Sequence, residues 1–227
     1  HIALGVGGYA SGPAVLAAHW MGIRTAVAEQ NAIPGFTNRM LGRFVDRVFL
    51  TFPDNEGRFA PSKTVITGNP VRRGFVEEIP LASRKEKDTF SILIFGGSQG
   101  ARSVNRAVVE GMRYLQDLKG RLSITHQTGM SDLDEVTAAY RELKMAADVR
   151  PFITDMPSAY GAADLLICRA GATTIAEITA VGKASVLIPF PFAVGGHQEL
   201  NARVLADAGA AEMIREDGLD GKMLAGV

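Results

Sequence analysis

What this sequence lacks narrows its reading before any motif is considered. It has one cysteine, Cys168, which can close no disulfide within the chain and is too few for a cysteine-rich zinc site, a usage that suits a reducing compartment. No run of about 18 apolar residues occurs, so no segment reads as a membrane-spanning helix and any membrane contact would be peripheral. Net charge is missing as well. The 24 Lys and Arg balance the 24 Asp and Glu, which argues against a nucleic-acid binder that works through bulk charge. The four histidines, His1, His19, His126 and His197, show no i,i+4 or carboxylate pairing of the kind zinc requires, so no metal site is expected. Asp217-Gly218-Leu219-Asp220-Gly221 lacks the ligand ladder and closing Glu of a calcium loop. No G-x-S-x-G elbow appears, and Cys168 has no evident His partner, so nucleophilic catalysis has no support.

What is present is a chain of 227 residues with 47% apolar and 21% charged side chains, enough for one or two domains of about 150 residues each. Residues 1–87 carry 11 basic and 7 acidic side chains, leaving 13 and 17 for residues 88–227, so the first part is the better match for an anionic surface. Short apolar runs rich in β-branched residues recur every 20 to 30 residues with amphipathic segments between them, the alternation of a parallel α/β sheet. The clearest strands are 90–95, 164–168 and 184–188, whose unbroken hydrophobicity suits burial on both faces, and weaker ones fall at 25–28, 47–50 and 123–126. The chain opens on a further apolar strand, His1 to Gly5, that runs straight into glycines without an initiator Met, and it reads as a fragment. Helices are expected near 13–20, 38–45, 102–117, 131–146, 173–181 and 198–208, with Gly22, Gly120, Gly182 and Gly209 at their stops. The boundary is expected at Gly68-Asn69-Pro70-Val71-Arg72-Arg73-Gly74, dividing 1–69 from 70–227. The charged stretch Glu77 to Asp88 reads as a surface excursion.

Three strand-to-helix turns carry the candidate chemistry. Gly96-Gly97-Ser98-Gln99-Gly100-Ala101 leads into a helix whose free N–H groups and dipole favour a phosphate, although a Gly-Gly turn also serves as a plain tight connection; Gly7 to Pro13 repeats the pattern more weakly. Gly171 to Glu177 reads either as a capping box, with Thr174 at the N-cap and Glu177 three residues on, or as a carboxylate placed to accept both hydroxyls of a ribose. Gly195-Gly196-His197-Gln198-Glu199-Leu200-Asn201 sets Gln198 and Asn201 one helical turn apart, where they either read a sugar or cap the helix. Arg72 could reach a phosphate from the boundary or stand solvated. Asp132-Leu133-Asp134 matches a metal–nucleotide D-x-D pattern but follows Ser131 at a helix start, where the dipole alone accounts for acids. Arg39, Arg43 and Arg47 recur at i, i+4 and i+8 beside Phe36, Met40, Leu41 and Phe44, either a lipid-facing basic helix or a core helix with a solvated edge.

Taken in order, Gly7 to Pro13, Glu29-Gln30-Asn31-Ala32-Ile33-Pro34-Gly35, Gly68 to Arg72, Gly96 to Arg102, His126-Gln127-Thr128-Gly129 and Arg169 to Glu177 resemble the MurG family over essentially the whole chain. The resemblance implies a GT-B fold, two Rossmann-like parallel-sheet domains facing a cleft, the N-terminal one incomplete here. It implies transfer of N-acetylglucosamine from UDP-GlcNAc to the C4 hydroxyl of the muramyl sugar of lipid I, giving lipid II for peptidoglycan. The enzyme would sit peripherally on the cytoplasmic side of the bacterial inner membrane and use no cofactor and no nucleic acid. By motif position, Ser98 with Gly96, Gly97, Gln99 and Gly100 would hold the diphosphate, assisted by Arg72 and Thr174. Ile153 would meet uracil through its backbone, and Glu177 would take the ribose hydroxyls. His197 and Gln198 would face the GlcNAc hydroxyls with Asn201 close behind, and Asn31 would approach from the other side. The family's first glycine loop and proposed general base would lie upstream of His1. Its usual His before Glu-Gln-Asn is Ala28 here, and its acidic pair before His-Gln is Gly195-Gly196. A non-catalytic UDP-sugar-binding fragment and a UDP-GlcNAc 2-epimerase remain alternatives.

Overall fold

The structure, a computed structural model of the chain, describes residues 1–54, 56–77 and 89–227. The stretch expected as a surface excursion lies outside these residues apart from Glu77.

A first parallel sheet takes the order β1 (Ile2–Gly5), β2 (Arg24–Glu29), β3 (Arg47–Leu50) and β4 (Thr64–Ile66). Helices α1 (Gly8–Trp20) and α2 (Phe36–Leu41) connect its strands, and Val15, Val27, Leu41, Val45, Val48, Leu50 and Phe59 form its core. The helix expected over 13–20 starts five residues earlier. Pro13, read as a helix start, sits in the second turn instead, where it forgoes one ladder bond to the Tyr9 carbonyl. The helix expected over 38–45 ends at Leu41, so Arg39, Arg43 and Arg47 do not share a helical face, and Arg47 belongs to β3. The stop is steric as well as conformational: a Cβ at Gly42 would lie 2.5 Å from the Phe59 ring, and the chain must turn here to bury Val45.

After α3 (Gly74–Glu77), the second unit runs β5 (Phe90–Phe95), α4 (Arg102–Tyr114), β6 (Leu122–Gln127), α5 (Leu133–Glu142), β7 (Ala147–Arg150) and α6 (Met156–Ala162). It continues through β8 (Leu165–Cys168), α7 (Ala172–Val181), β9 (Ala184–Leu187), α8 (His197–Asp207), β10 (Ala211–Met213) and α9 (Gly221–Gly226). Its six strands are all parallel, in the order β10-β9-β8-β5-β6-β7. The chain therefore builds outward from β5 through β6 and β7, then returns to β5's other side with β8. Helices cover both faces. Residues of α4, α5 and α9 pack with Ile94, Ile124 and Ile188 on one, and residues of α6, α7 and α8 pack with Phe95, Leu166 and Leu187 on the other, joined by Phe75 of α3. This two-sided burial is why β5, β8 and β9 read as continuous apolar runs. Strands β4, β7 and β10 were not legible because each has only three or four residues and lies at a sheet edge, with charges such as Asp148 and Arg150 among them.

Candidate functional site

The strand order creates a crevice. The connection leaving β5 enters α4 on one face of the sheet and the connection leaving β8 enters α7 on the other, so the carboxyl ends of two neighbouring strands splay apart. Ligands of doubly wound sheets occupy that switch point. Both helices begin there without a side-chain cap or an acidic residue in the first turn, Ala101 preceding α4 and Gly171 preceding α7, which leaves N–H groups and two positive dipole ends for an anion.

The loop between β5 and α4 is glycine-rich for a spatial reason. Gly100 and Gly129 both take positive φ, and a Cβ on Gly100 would stand 1.9 Å from the Thr128 carbonyl oxygen while one on Gly129 would stand 2.2 Å from that of Gln99. The phosphate-loop candidate is thus pressed against the end of β6 at backbone distance. Gly97, Ser98 and Gln99 remain exposed on its outer side, and a Cβ on Gly97 would meet nothing within 4 Å. Behind the loop Asn105 donates to the Thr128 carbonyl at 3.0 Å and to the Asp132 carboxylate at 2.8 Å. Its own carbonyl lies 3.1 Å from His126 Nε2, and His126 Nδ1 lies 3.0 Å from the Tyr140 hydroxyl. Because both Asn105 amide protons are committed, Nε2–H donates to Asn105 and Nδ1 accepts from Tyr140, so every member is satisfied with His126 neutral. Burial pushes the His126 imidazole down to about 4, and the Tyr140 phenol up, in the same sense. Asp132 does stand at the start of α5, as expected, but its carboxylate serves this network and makes no capping bond. Among the described residues no three His, Cys, Asp or Glu side chains gather as metal ligands.

Glu177 lies on α7 with its side chain only 7% exposed, and its carboxylate receives the Arg72 guanidinium at 3.0 Å and the Tyr160 hydroxyl at 3.5 Å. Arg72 in turn lies 5.0 Å from the centre of the Phe75 ring. Two residues expected at the site from distant segments are therefore brought together. The capping-box reading fails: α7 begins at Ala172, which makes Thr174 its third residue, half-buried on the first turn, and the Glu177 carboxylate bonds Arg72 and Tyr160 with no side-chain cap on the helix. Burial pushes the Tyr160 phenol well up, as do nearby Cys168 and Glu177, so Tyr160 stays a hydrogen-bond donor to the carboxylate.

Ile153 is buried, and its N–H donates to the Gln127 side-chain oxygen at 2.7 Å, which leaves its carbonyl as the backbone group it can offer. Asn31 and Asn201 meet across the two sheets. Asn201, wholly buried, donates to Asn31 Oδ1 and to the Ala170 carbonyl, each at 3.3 Å, and accepts from the Ala32 N–H at 2.9 Å. Asn31 is itself set by Glu29, whose buried carboxylate accepts from the N–H groups of Asn31 and Gly35 and from Asn38. The His197 and Gln198 side chains fold back on their own loop, the imidazole Nδ1 2.7 Å from the Val194 carbonyl and Gln198 Oε1 accepting from the Phe190 N–H at 3.0 Å; neither caps α8. Sequence reasoning passed over Glu29, Gln127, Tyr160 and Arg169. Arg169, buried at the end of β8, grips Ser103 on the first turn of α4 at 3.0 Å and pairs with Glu216. Glu29, Gln127 and Arg169 were visible within motifs, but nothing local says what they touch.

Comparison with known proteins places this geometry. The model of the glycosyltransferase family 28 C-terminal domain matches residues 91–227, and that of the family's N-terminal domain matches residues 1–50. The UDP-N-acetylglucosamine--N-acetylmuramyl-(pentapeptide) pyrophosphoryl-undecaprenol N-acetylglucosamine transferase of Syntrophus aciditrophicus is 59% identical over 99% of this chain and 62% of its own length. The protein of that name from Citrifermentans bemidjiense is 53% identical over 99% of this chain and 63% of its own length. The chain thus spans less than two thirds of these relatives. Acinetobacter baumannii MurG superposes with a TM-score of 0.79 at 38% identity, over 98% of this chain and 63% of that one. The parallel α/β units and the GT-B architecture read from the motifs are borne out, as is the resemblance itself.

Proposed function

The chain belongs to glycosyltransferase family 28, and from that premise we propose that it moves N-acetylglucosamine from UDP-GlcNAc to the C4 hydroxyl of N-acetylmuramic acid in lipid I, forming lipid II. The observation that carries the reading is the switch-point crevice, where two uncapped helix N-termini and a buried, oriented carboxylate converge. A nucleoside diphosphate needs both chemistries side by side: donors for the phosphates and an acceptor for the ribose.

The diphosphate lies on the Gly96–Gly100 loop with Ser98, Thr174 and the two helix N-termini, and Arg72 stands close by on Glu177. Glu177 takes the ribose hydroxyls, which it can do while keeping Arg72 and Tyr160 because each carboxylate oxygen has a second lone pair. The Ile153 carbonyl meets uracil N3–H. The sugar faces His197, Gln198 and Asn201, with Asn31 reaching from the first sheet. In an inverting displacement the acceptor hydroxyl gives its proton to a general base and attacks the anomeric carbon as the bond to UDP breaks, so negative charge grows on the diphosphate where these donors already point.

The acceptor and its membrane belong to the first unit. The start of α1, with Gly7 before it and Gly8 as its first residue, both at positive φ, offers N–H groups to the acceptor's diphosphate. Helix α1 packs against α2 and the turn that follows it, the His19 ring centre 6.1 Å from that of Phe44, and these segments leave Trp20, Met21, Phe36, Met40 and Phe44 exposed beside Arg39 and Arg43. Aromatic and apolar side chains with basic neighbours suit the cytoplasmic face of an anionic bilayer, held peripherally. No helix among the described residues is long and apolar enough to cross it.

The decisive experiment supplies UDP-GlcNAc with and without lipid I and follows UDP release. Release that requires lipid I supports the proposal. Conversion of UDP-GlcNAc without acceptor points instead to an epimerase, and binding of UDP-GlcNAc without turnover points to a non-catalytic sugar-nucleotide module.

A further inference from the structure

Gln127 is the last residue of β6, paired with Phe95 of β5 on one side and Arg150 of β7 on the other, so its side chain stands between the loops that follow those two strands. It is buried, and it uses both ends of its amide: Nε2 donates to the Gly97 carbonyl at 2.9 Å and Oε1 accepts from the Ile153 N–H at 2.7 Å. A planar trans peptide points its C=O and the following N–H in opposite directions. With the Gly97 carbonyl drawn inward by Gln127 and by the Gly100 N–H, which donates to it at 3.1 Å across the turn, the N–H of Ser98 is turned outward, on the exposed side of the loop. By the same clamp the Phe152–Ile153 peptide is held at a fixed distance from that loop. We infer that Gln127 is a positioning residue that aligns the diphosphate loop with the base-binding backbone, so that one nucleotide can engage both. This rests on the reading of the crevice as the UDP site. Among side chains of this length only an amide offers a donor and an acceptor together; Glu supplies the acceptor alone and Met neither.

That difference provides the test, by calorimetry with UDP and with uridine on the parent chain and two variants. Gln127→Glu keeps the bond from Ile153 but sets a carboxylate oxygen against the Gly97 carbonyl, so UDP affinity should fall about tenfold while uridine stays within about twofold. Gln127→Met loses both bonds and should weaken both ligands, UDP by about tenfold and uridine by about threefold. Amide exchange gives a readout free of ligand: the Ile153 N–H should stay protected in the Glu variant and exchange faster in the Met variant. UDP affinities within twofold of the parent in both variants overturn the inference, as does an equal loss of UDP and uridine in Gln127→Glu. If the Met variant fails to fold, the Glu variant decides alone. A parent chain that ignores UDP overturns the site reading itself, which the variants' results cannot mimic.

Discussion

At the scale of single residues, the site depends on whether Glu177 binds the ribose or merely pairs with Arg72. The pair by itself contributes little, because the Arg72 side chain is 57% exposed and its attraction is screened. The buried carboxylate is the costly partner, and a ligand that brings two hydroxyls to it is rewarded. Replacing Glu177 with Ala should therefore weaken UDP-GlcNAc binding by about 1–3 kcal/mol. Asp134, exposed on the first turn of α5, is the control, and Asp134→Ala should leave binding where it was. Calorimetry on both variants checks the assignment, and a loss confined to Asp134→Ala refutes it. The sequence offered Glu177 through its place in the Arg169 to Glu177 motif, with a capping box as the competing account. It could not offer the pairing with Arg72, which comes from 105 positions away, nor Tyr160, whose use lies in an OH aimed at that carboxylate.

Elements were legible in proportion to their burial. Strands β5, β8 and β9 stand out because both faces are covered, whereas the edge strands β4, β7 and β10 and the short helix α6 carry too little pattern to be seen. The polar network behind the phosphate loop was invisible for another reason: Asn105, His126 and Tyr140 occupy positions that periodicity assigns simply to a core, and Asp132 reads as an acid at a helix start. It has a measurable signature. The unfolded chain binds a proton at His126 near pH 6.5, while the folded chain refuses it until about pH 4. Between those values the unfolded state holds more protons, so stability falls as pH falls, by about 1.4 kcal/mol per unit and about 3 kcal/mol in all. Denaturant midpoints should decline from pH 6.5 to 5, before most carboxylates titrate, and His126→Gln should flatten that slope. An unchanged slope in the variant would mean that another group carries it.

For the whole molecule the question is what holds the first sheet to the second. Motif order implied two α/β units but not how they touch. In the structure Phe52 of the first unit packs against the second unit's core, and a polar contact joins the units at Asn201, where one buried amide accepts from Ala32 and donates to Asn31 while its other proton ties it to Ala170 at the end of β8. All three bonds belong to one side chain, and two of them cross between units, so truncating it leaves the buried Ala170 carbonyl on one side and the half-buried Ala32 N–H on the other without that partner. Asn201→Ala should cost about 1–3 kcal/mol at this contact. The cost should appear first as faster hydrogen exchange at the Ala32 amide, because local opening of the segment after β2 needs no global unfolding. The diphosphate loop and Glu177 lie within the second unit, so UDP affinity should stay close to the parent value, whereas UDP-GlcNAc should lose whatever Asn201 and Asn31 contribute to the sugar. If UDP weakens as much as UDP-GlcNAc while Ala32 stays protected, the amide is no link between the units and serves only the packing of α8.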